Sequence, residues 1–313
     1  MKIAYYYPKQ ISPHATLFCK YTGDKFFHQK CNANTDLIFA GSVSALSQAV
    51  QAKKMFNRPL VGWCWDIPYS WREWQMSENG LARNAGRDAK NNKYIALLKQ
   101  CDLVMVGSKF TQRILQEQYN IASMQIYSYV DTDSIKAVPV QKKRKQIIQI
   151  SRYYFNKKFE HTIQASRDLS TYRVVFVGFS PDLEYIRELK EHVDKYDRKV
   201  IFKENLSRED VITNLKQSTV LTSPSVHEGF GITPIEALYC KVPVLLSDLE
   251  VFQEIYGDNV LYHKMNDPED MKEKLERLVR SRALQKKIVE NCQPIISQFT
   301  PKKFAKRWKK AIN

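Results

Sequence analysis

Short apolar runs alternate with amphipathic stretches along most of the chain. Runs at 3–7, 37–40, 60–65 and 103–106, and later at 147–150, 174–177, 219–222 and 242–246, have the length of buried strands. Between them the spacing shifts to the helical period. Leu183, Ile186, Leu189 and Val193 share one face of a predicted helix, and Met271, Leu275, Leu278 and Val279 share another. This alternation predicts an α/β protein whose parallel sheets carry helices on both faces. Pro139 and the charged residues 142–145 interrupt the pattern before a fresh strand, so a first domain is predicted over 1–140 and a second over 146–299. After the cap-like pair Thr300-Pro301, residues Phe304, Trp308 and Ile312 recur at every fourth position while bases fill much of the rest. A helix over 300–313 with that face must dock on apolar surface.

Length and composition narrow the class. A chain of 313 residues suits two domains, and 43% hydrophobic with 26% charged residues excludes a mainly disordered chain. No apolar run approaches the ~20 residues of a spanning helix. Met1 to Tyr5 enter a strand-like run without a signal-peptide pattern, and the six cysteines form no CxxC pair. Both features predict reduced thiols in a cytoplasmic protein, with peripheral attachment to a membrane left open. The net charge of +16 is uneven: residues 1–145 and 301–313 carry the basic excess, while 146–300 is close to neutral. Such a field suits a polyanionic partner, whether an anionic membrane or nucleic acid, or else serves solubility alone.

The most informative stretch runs from Ser223 through His227-Glu228-Gly229-Phe230-Gly231-Ile232-Thr233-Pro234-Ile235-Glu236. It follows a short strand and enters a helix, with Thr233 spaced as its N-cap, Pro234 as its first residue and Glu236 completing a capping box. Gly229 and Gly231 let backbone approach a ligand at a helix start, where free N–H groups favour phosphate. Carboxylates at 228 and 236 would repel phosphate, which assigns them to neutral hydroxyls on a sugar and a ribose. The plain alternative is a helix cap and a turn.

Here a resemblance becomes specific. Glu228 and Glu236 form an E-x7-E pair, and the surrounding EGFGITPIEA is similar to the EGFGLPPLEA of family 4 retaining glycosyltransferases. Ile150 to Lys157 resembles that family's GR-x4-K segment, with Arg152 and Lys157 at the basic positions and Ser151 replacing the glycine. Val175 to Gly178 resembles its next strand and glycine, Cys240-Lys241-Val242-Pro243-Val244 its CG-x-PV, and Phe252 to Glu254 the glutamate after it. The resemblance implies a GT-B fold: two Rossmann-like domains facing a central cleft, acceptor side first, nucleotide-sugar side second, and the last helix returning to the first domain. It further implies that Glu228 holds donor sugar hydroxyls and Glu236 the ribose. By the same resemblance Gly229, Phe230, Gly231, Ile232 and Thr233 would form the donor-binding turn. Arg152 and Lys157 would stabilise the leaving diphosphate without a metal or other cofactor, the donor being UDP- or GDP-linked.

The first half resembles the family less. Val61 to Asp66 is similar to a strand ending in HD, with Trp65 where His is usual, and Tyr129-Val130-Asp131 to GVD. Asp66 is a candidate catalytic group, while His14, Trp65, Trp71, Arg72 and Trp74 are acceptor-side candidates; each has a structural alternative. Trp63, Trp65, Trp71 and Trp74 crowd one segment, as a core-capping loop or an aromatic acceptor platform. Asp131-Thr132-Asp133 spells a DxD but fits the GVD resemblance and is expected to be structural. The function expected is transfer of a hexose from a nucleotide-diphosphate donor to a hydroxyl on a membrane-surface saccharide or glycolipid, or on hydroxylated DNA bases. A sugar-nucleotide epimerase and a non-catalytic binding module are the alternatives.

Overall fold

The structure, a computed structural model, describes residues 2–6, 20, 25–28, 31–67, 87–179, 183–196 and 199–312. His14, Trp71, Arg72 and Trp74 lie outside the described residues. The chain divides into two compact units, one of Met1–Tyr129 with Pro301–Asn313 and one of Val130–Thr300. Among the described residues, no helix is long and apolar enough to cross a membrane.

Unit 1 is built on a six-stranded parallel sheet of order β2-β1-β3-β4-β5-β6. The strands are β1 (Lys2–Tyr6), β2 (Lys25–His28), β3 (Leu37–Ala40), β4 (Leu60–Cys64), β5 (Leu103–Val106) and β6 (Met124–Gln125). Helices α1 (Val43–Phe56), α2 (Arg87–Leu98) and α3 (Lys109–Tyr119) connect them. One sheet face packs Ile38, Leu60 and Val104 against Leu46, Leu98 and Leu115 of these helices. The other face, with Tyr5, Phe39 and Trp63, is covered by Phe304 and Trp308 of the C-terminal helix (Pro301–Ile312). Trp308 is fully buried and meets Phe39 edge-on at 5.4 Å. The docking surface that the periodicity of Phe304, Trp308 and Ile312 demanded is therefore this sheet face.

Unit 2 opens with α4 (Thr132–Ala137) and then β7 (Gln146–Ile150), α5 (Phe159–Ala165), β8 (Arg173–Gly178) and α6 (Leu183–Lys195). It continues with β9 (Val200–Glu204), α7 (Arg208–Gln217), β10 (Val220–Ser223), α8 (Ile232–Tyr239), β11 (Val244–Ser247) and α9 (Glu250–Tyr256). Strand β12 (Leu261–His263) and helices α10 (Pro268–Arg280) and α11 (Arg282–Ile296) complete it. Its sheet is also parallel, in the order β12-β11-β10-β7-β8-β9. The inner strands are buried along their length, as expected where helices cover both faces. In α10, Asp267 caps the first turn, Pro268 occupies the first position, and Met271, Leu275, Leu278 and Val279 are buried.

The units separate at Tyr129/Val130, ahead of the break expected at 140. The reason is polar: Lys216 on α7 donates to the carbonyls of Ile135 and Val138, and the Arg144 N–H bonds the Gln217 carbonyl. The basic residues 142–145, assigned by sequence to the first half, thus belong to unit 2. Asp131 of the DxD accepts the Ser134 N–H as N-cap of α4.

Candidate functional site

The site is assembled by two loops that leave neighbouring strands. In unit 2 the winding direction reverses between β7 and β10, which pair directly. In such sheets ligands collect at the carboxyl ends of the strands flanking that reversal. Arg152 and Lys157 lie in the loop after β7, and Glu228 in the loop after β10.

Two glycines explain why the backbone can run there. Ser151 leaves β7 with its carbonyl oxygen so close to Gly178 that a Cβ on that glycine would sit 1.9 Å away. Gly231 has φ +81°, a left-handed conformation, and a Cβ there would lie 2.5 Å from the Phe252 ring. Helix α8 therefore starts at Ile232 with Gly231 as its N-cap, not at Pro234 behind Thr233. The expected capping box is absent because the helix starts earlier, leaving Pro234 inside the first turn and Glu236 beyond it. Pro234 fits there because first-turn N–H groups have no intrahelical partner.

The side chains then converge. Lys157 Nζ donates to Glu228 Oε1 at 2.7 Å and to the His227 carbonyl at 3.2 Å. Ser225 Oγ donates to the same Glu228 oxygen at 2.8 Å. Both charged groups are largely covered, with side-chain exposures of 16% and 20%. Arg152 is exposed and makes no ion pair among the described residues, so its charge is available to a ligand. A cavity of about 70 Å³ lies between the loops, lined by Ser151, Ser223, Ser225, Glu228, Ile232 and Thr233. Behind the loops, Gln149 ties the β7 side to the core. It donates to the Lys157 carbonyl at 2.6 Å and accepts from Thr162 Oγ1 at 2.7 Å.

Glu236 is the deeper carboxylate. Burial raises its pKa above the usual carboxylate range, opposed by Arg208, whose Nη2 lies 2.5 Å from Glu236 Oε1. Burial works against the Arg208 charge too, but Glu236 outweighs it and the guanidinium pKa rises. Arg208 also reaches Ser134 Oγ at 3.3 Å. Neither Arg208 nor Ser225 stood out in the sequence. Arg208 follows the N-cap Ser207 of α7, a local signal that speaks only of helix start.

Other expected residues fall elsewhere. The Phe230 ring is buried edge-on against Phe299 at 5.4 Å, and Gly229 is buried. Phe230 can therefore serve the turn only through its backbone. In unit 1, Asp66 Oδ1 accepts the Ile67 N–H at 2.9 Å, and Trp65 Nε1 donates to the Gly41 carbonyl at 2.7 Å. Trp65 packs on the core residue Trp63 at 5.1 Å.

Two Rossmann-like α/β units, each on a six-stranded parallel sheet, define the GT-B fold class. Solved structures share this fold. Anabaena HepE in complex with UDP-glucose superposes with a TM-score of 0.81 at 16% identity, covering 100% of this chain and 99% of that one. Sucrose-phosphate synthase from Thermosynechococcus elongatus gives 0.76 at 17% identity, covering 98% and 80%. The chain belongs to the family described as glycosyl transferases group 1, which matches residues 130–293 and so falls within unit 2. Among curated relatives, the O-antigen chain mannosyltransferase RfbU of Salmonella typhimurium is 28% identical over 175 residues, 54% of this chain and 49% of its own. The chain thus matches about half the length of that relative.

Proposed function

We propose that this protein is a retaining, family 4-type hexosyltransferase working in the cytoplasm, with unit 2 binding a UDP- or GDP-linked sugar and unit 1 engaging the acceptor. The observation that carries the reading is the Lys157–Glu228–Ser225 cluster beside the exposed Arg152. In this reading Glu228 accepts hydrogen bonds from donor sugar hydroxyls while Lys157 holds it in place. Glu236 spends one oxygen on Arg208 and turns the other to the ribose. The Gly231 and Ile232 N–H groups receive the diphosphate at the start of α8. Arg152 and Lys157 stabilise the charge that grows on the departing diphosphate, the largest electrostatic demand of the step. Two cations can meet that demand without a metal ion. The mannosyltransferase relative and the UDP-glucose complex of a structural neighbour support a hexose donor.

The test is turnover of GDP-mannose and UDP-glucose with a panel of hydroxyl acceptors, read by product anomer and repeated with EDTA. The expected product keeps the donor's anomeric configuration, and chelation leaves the rate intact. Glu228→Ala should cut kcat/KM by roughly 10- to 1,000-fold, as loss of hydrogen bonds to a donor hydroxyl does. An inverted product, or wild-type turnover in this variant, would overturn the assignment.

A further inference from the structure

At the other end of unit 2 from Glu228, a cavity of about 660 Å³ opens along the edge where the strands begin. Lys143, Arg144 and Lys145 lead into β7 there, Lys241 lies just before β11, and Arg282 and Lys286 face in from α11. Against these six cations the lining holds one carboxylate, Glu290, which lies 3.7 Å from Lys286. Elsewhere on this unit basic side chains find acids: Lys272 pairs with Asp168 at 2.6 Å and Arg167 with Glu269 at 2.5 Å. In the cavity, Arg144, Lys145 and Arg282 make no ion pair among the described residues. Lys143 and Lys241 reach only neutral oxygens, the Ser218 carbonyl and Gln293 Oε1.

Two features set these lysines apart from ordinary surface lysines. Lys241 has φ +58°, a left-handed conformation that favours glycine and strains a lysine. Burial pulls the Lys143 ammonium down to about 8, with no carboxylate at hand to offset it. The floor is apolar, formed by Pro243, Val279 and Val289 beside Tyr172. An anion would balance the uncompensated positive charge, and an organic portion would rest on that floor. A phosphate ester supplies both, since each phosphate brings up to about two negative charges and three acceptor oxygens. The guanidiniums of Arg144 and Arg282 match those oxygens two at a time. A cavity of this volume lies in the range that holds whole small molecules, well above a bare phosphate.

We propose that this cavity is a second anion site, remote from the Glu228 site, that binds a phosphate ester. The ester comes either from a lipid headgroup at a membrane surface or from a free phosphorylated metabolite. Binding of the full chain to glycerol 3-phosphate is measured by calorimetry, and to vesicles of phosphatidylcholine with and without phosphatidylglycerol by flotation. The variants are Arg144→Ser/Arg282→Ser and Lys241→Gly, the second of which relaxes the backbone and so keeps the fold. Lys157→Met at the Glu228 site is the control. Both cavity variants should weaken binding roughly tenfold or more, the scale of a lost charge-assisted contact, while Lys157→Met leaves it unchanged. Weakening with glycerol 3-phosphate alone identifies a free metabolite, and weakening with the anionic vesicles identifies a lipid headgroup. Wild-type affinity in both cavity variants, no binding of either probe by the wild type, or loss only in Lys157→Met would overturn the proposal.

Discussion

Both units carry a six-stranded parallel sheet, but their strands are ordered differently. In unit 2 the chain winds outward from β7 to β9 and returns to β10 on the other side, so the loops after β7 and β10 meet. In unit 1 the reversal falls between β1 and β3, which pair directly in parallel register, with β2 on the other side of β1. There the Gly41 carbonyl, just after β3, is occupied by the Trp65 indole. Strand order therefore decides which loops share a ligand. In unit 2 it brings a lysine from one loop onto a glutamate from the other. The units also cover their sheets differently: one face in unit 1 is closed by aromatic rings from the end of the chain, whereas the site face of unit 2 is held by ion pairs and buried amides.

The largest expected effect strikes the aromatic side of this contrast. Trp308→Ala should cost about 3–5 kcal/mol, because it empties a fully buried position against Phe39. Hydrogen exchange should show the loss in β1, β3, β4 and β5. An equal loss of protection across unit 2 would break the picture of two separate cores.

Acid should strike unit 2. Burial pulls the His161 pKa down to about 4 from 6.5, with Glu160 opposing, and His263 is also lowered, chiefly by burial. Between pH 6.5 and 4 the unfolded chain binds a proton at position 161 that the folded unit refuses. Stability is therefore complete above 6.5 and falls as pH drops toward 4, by up to about 3 kcal/mol for His161. Urea titrations across that range check the slope, and His161→Gln should flatten it.

A smaller effect tests the turn itself. Gly231→Ala should cost about 1–3 kcal/mol, from a left-handed alanine and a methyl pressed on Phe252. Thermal unfolding reads the stability, and donor binding should fall with it. Unchanged values in both would mean that α8 can start elsewhere without harm.

The inner strands and the C-terminal helix were legible because burial on two faces, or one face at a strict period, leaves a strong apolar pattern. Strands β2, β6, β9 and β12 were not anticipated, and each is an edge of its sheet. An edge strand has one pairing neighbour and less cover, so sequences such as Met124-Gln125 and Val200 to Glu204 need little apolar signature. The motif spacing around Glu228 placed a turn before a helix but misplaced the cap, since a left-handed glycine leaves the same local signal as a flexible one.

The sequence by itself determined the α/β class, the central strands and the chemical types available to a site, because these follow from local periodicity and residue identity. Tertiary structure alone decided that the chain divides before α4, that Arg208 reaches Glu236 across 28 residues, and that six cations crowd one cavity. Those outcomes rest on sheet order and on hydrogen bonds between segments far apart in the chain. No window of neighbouring residues carries that information.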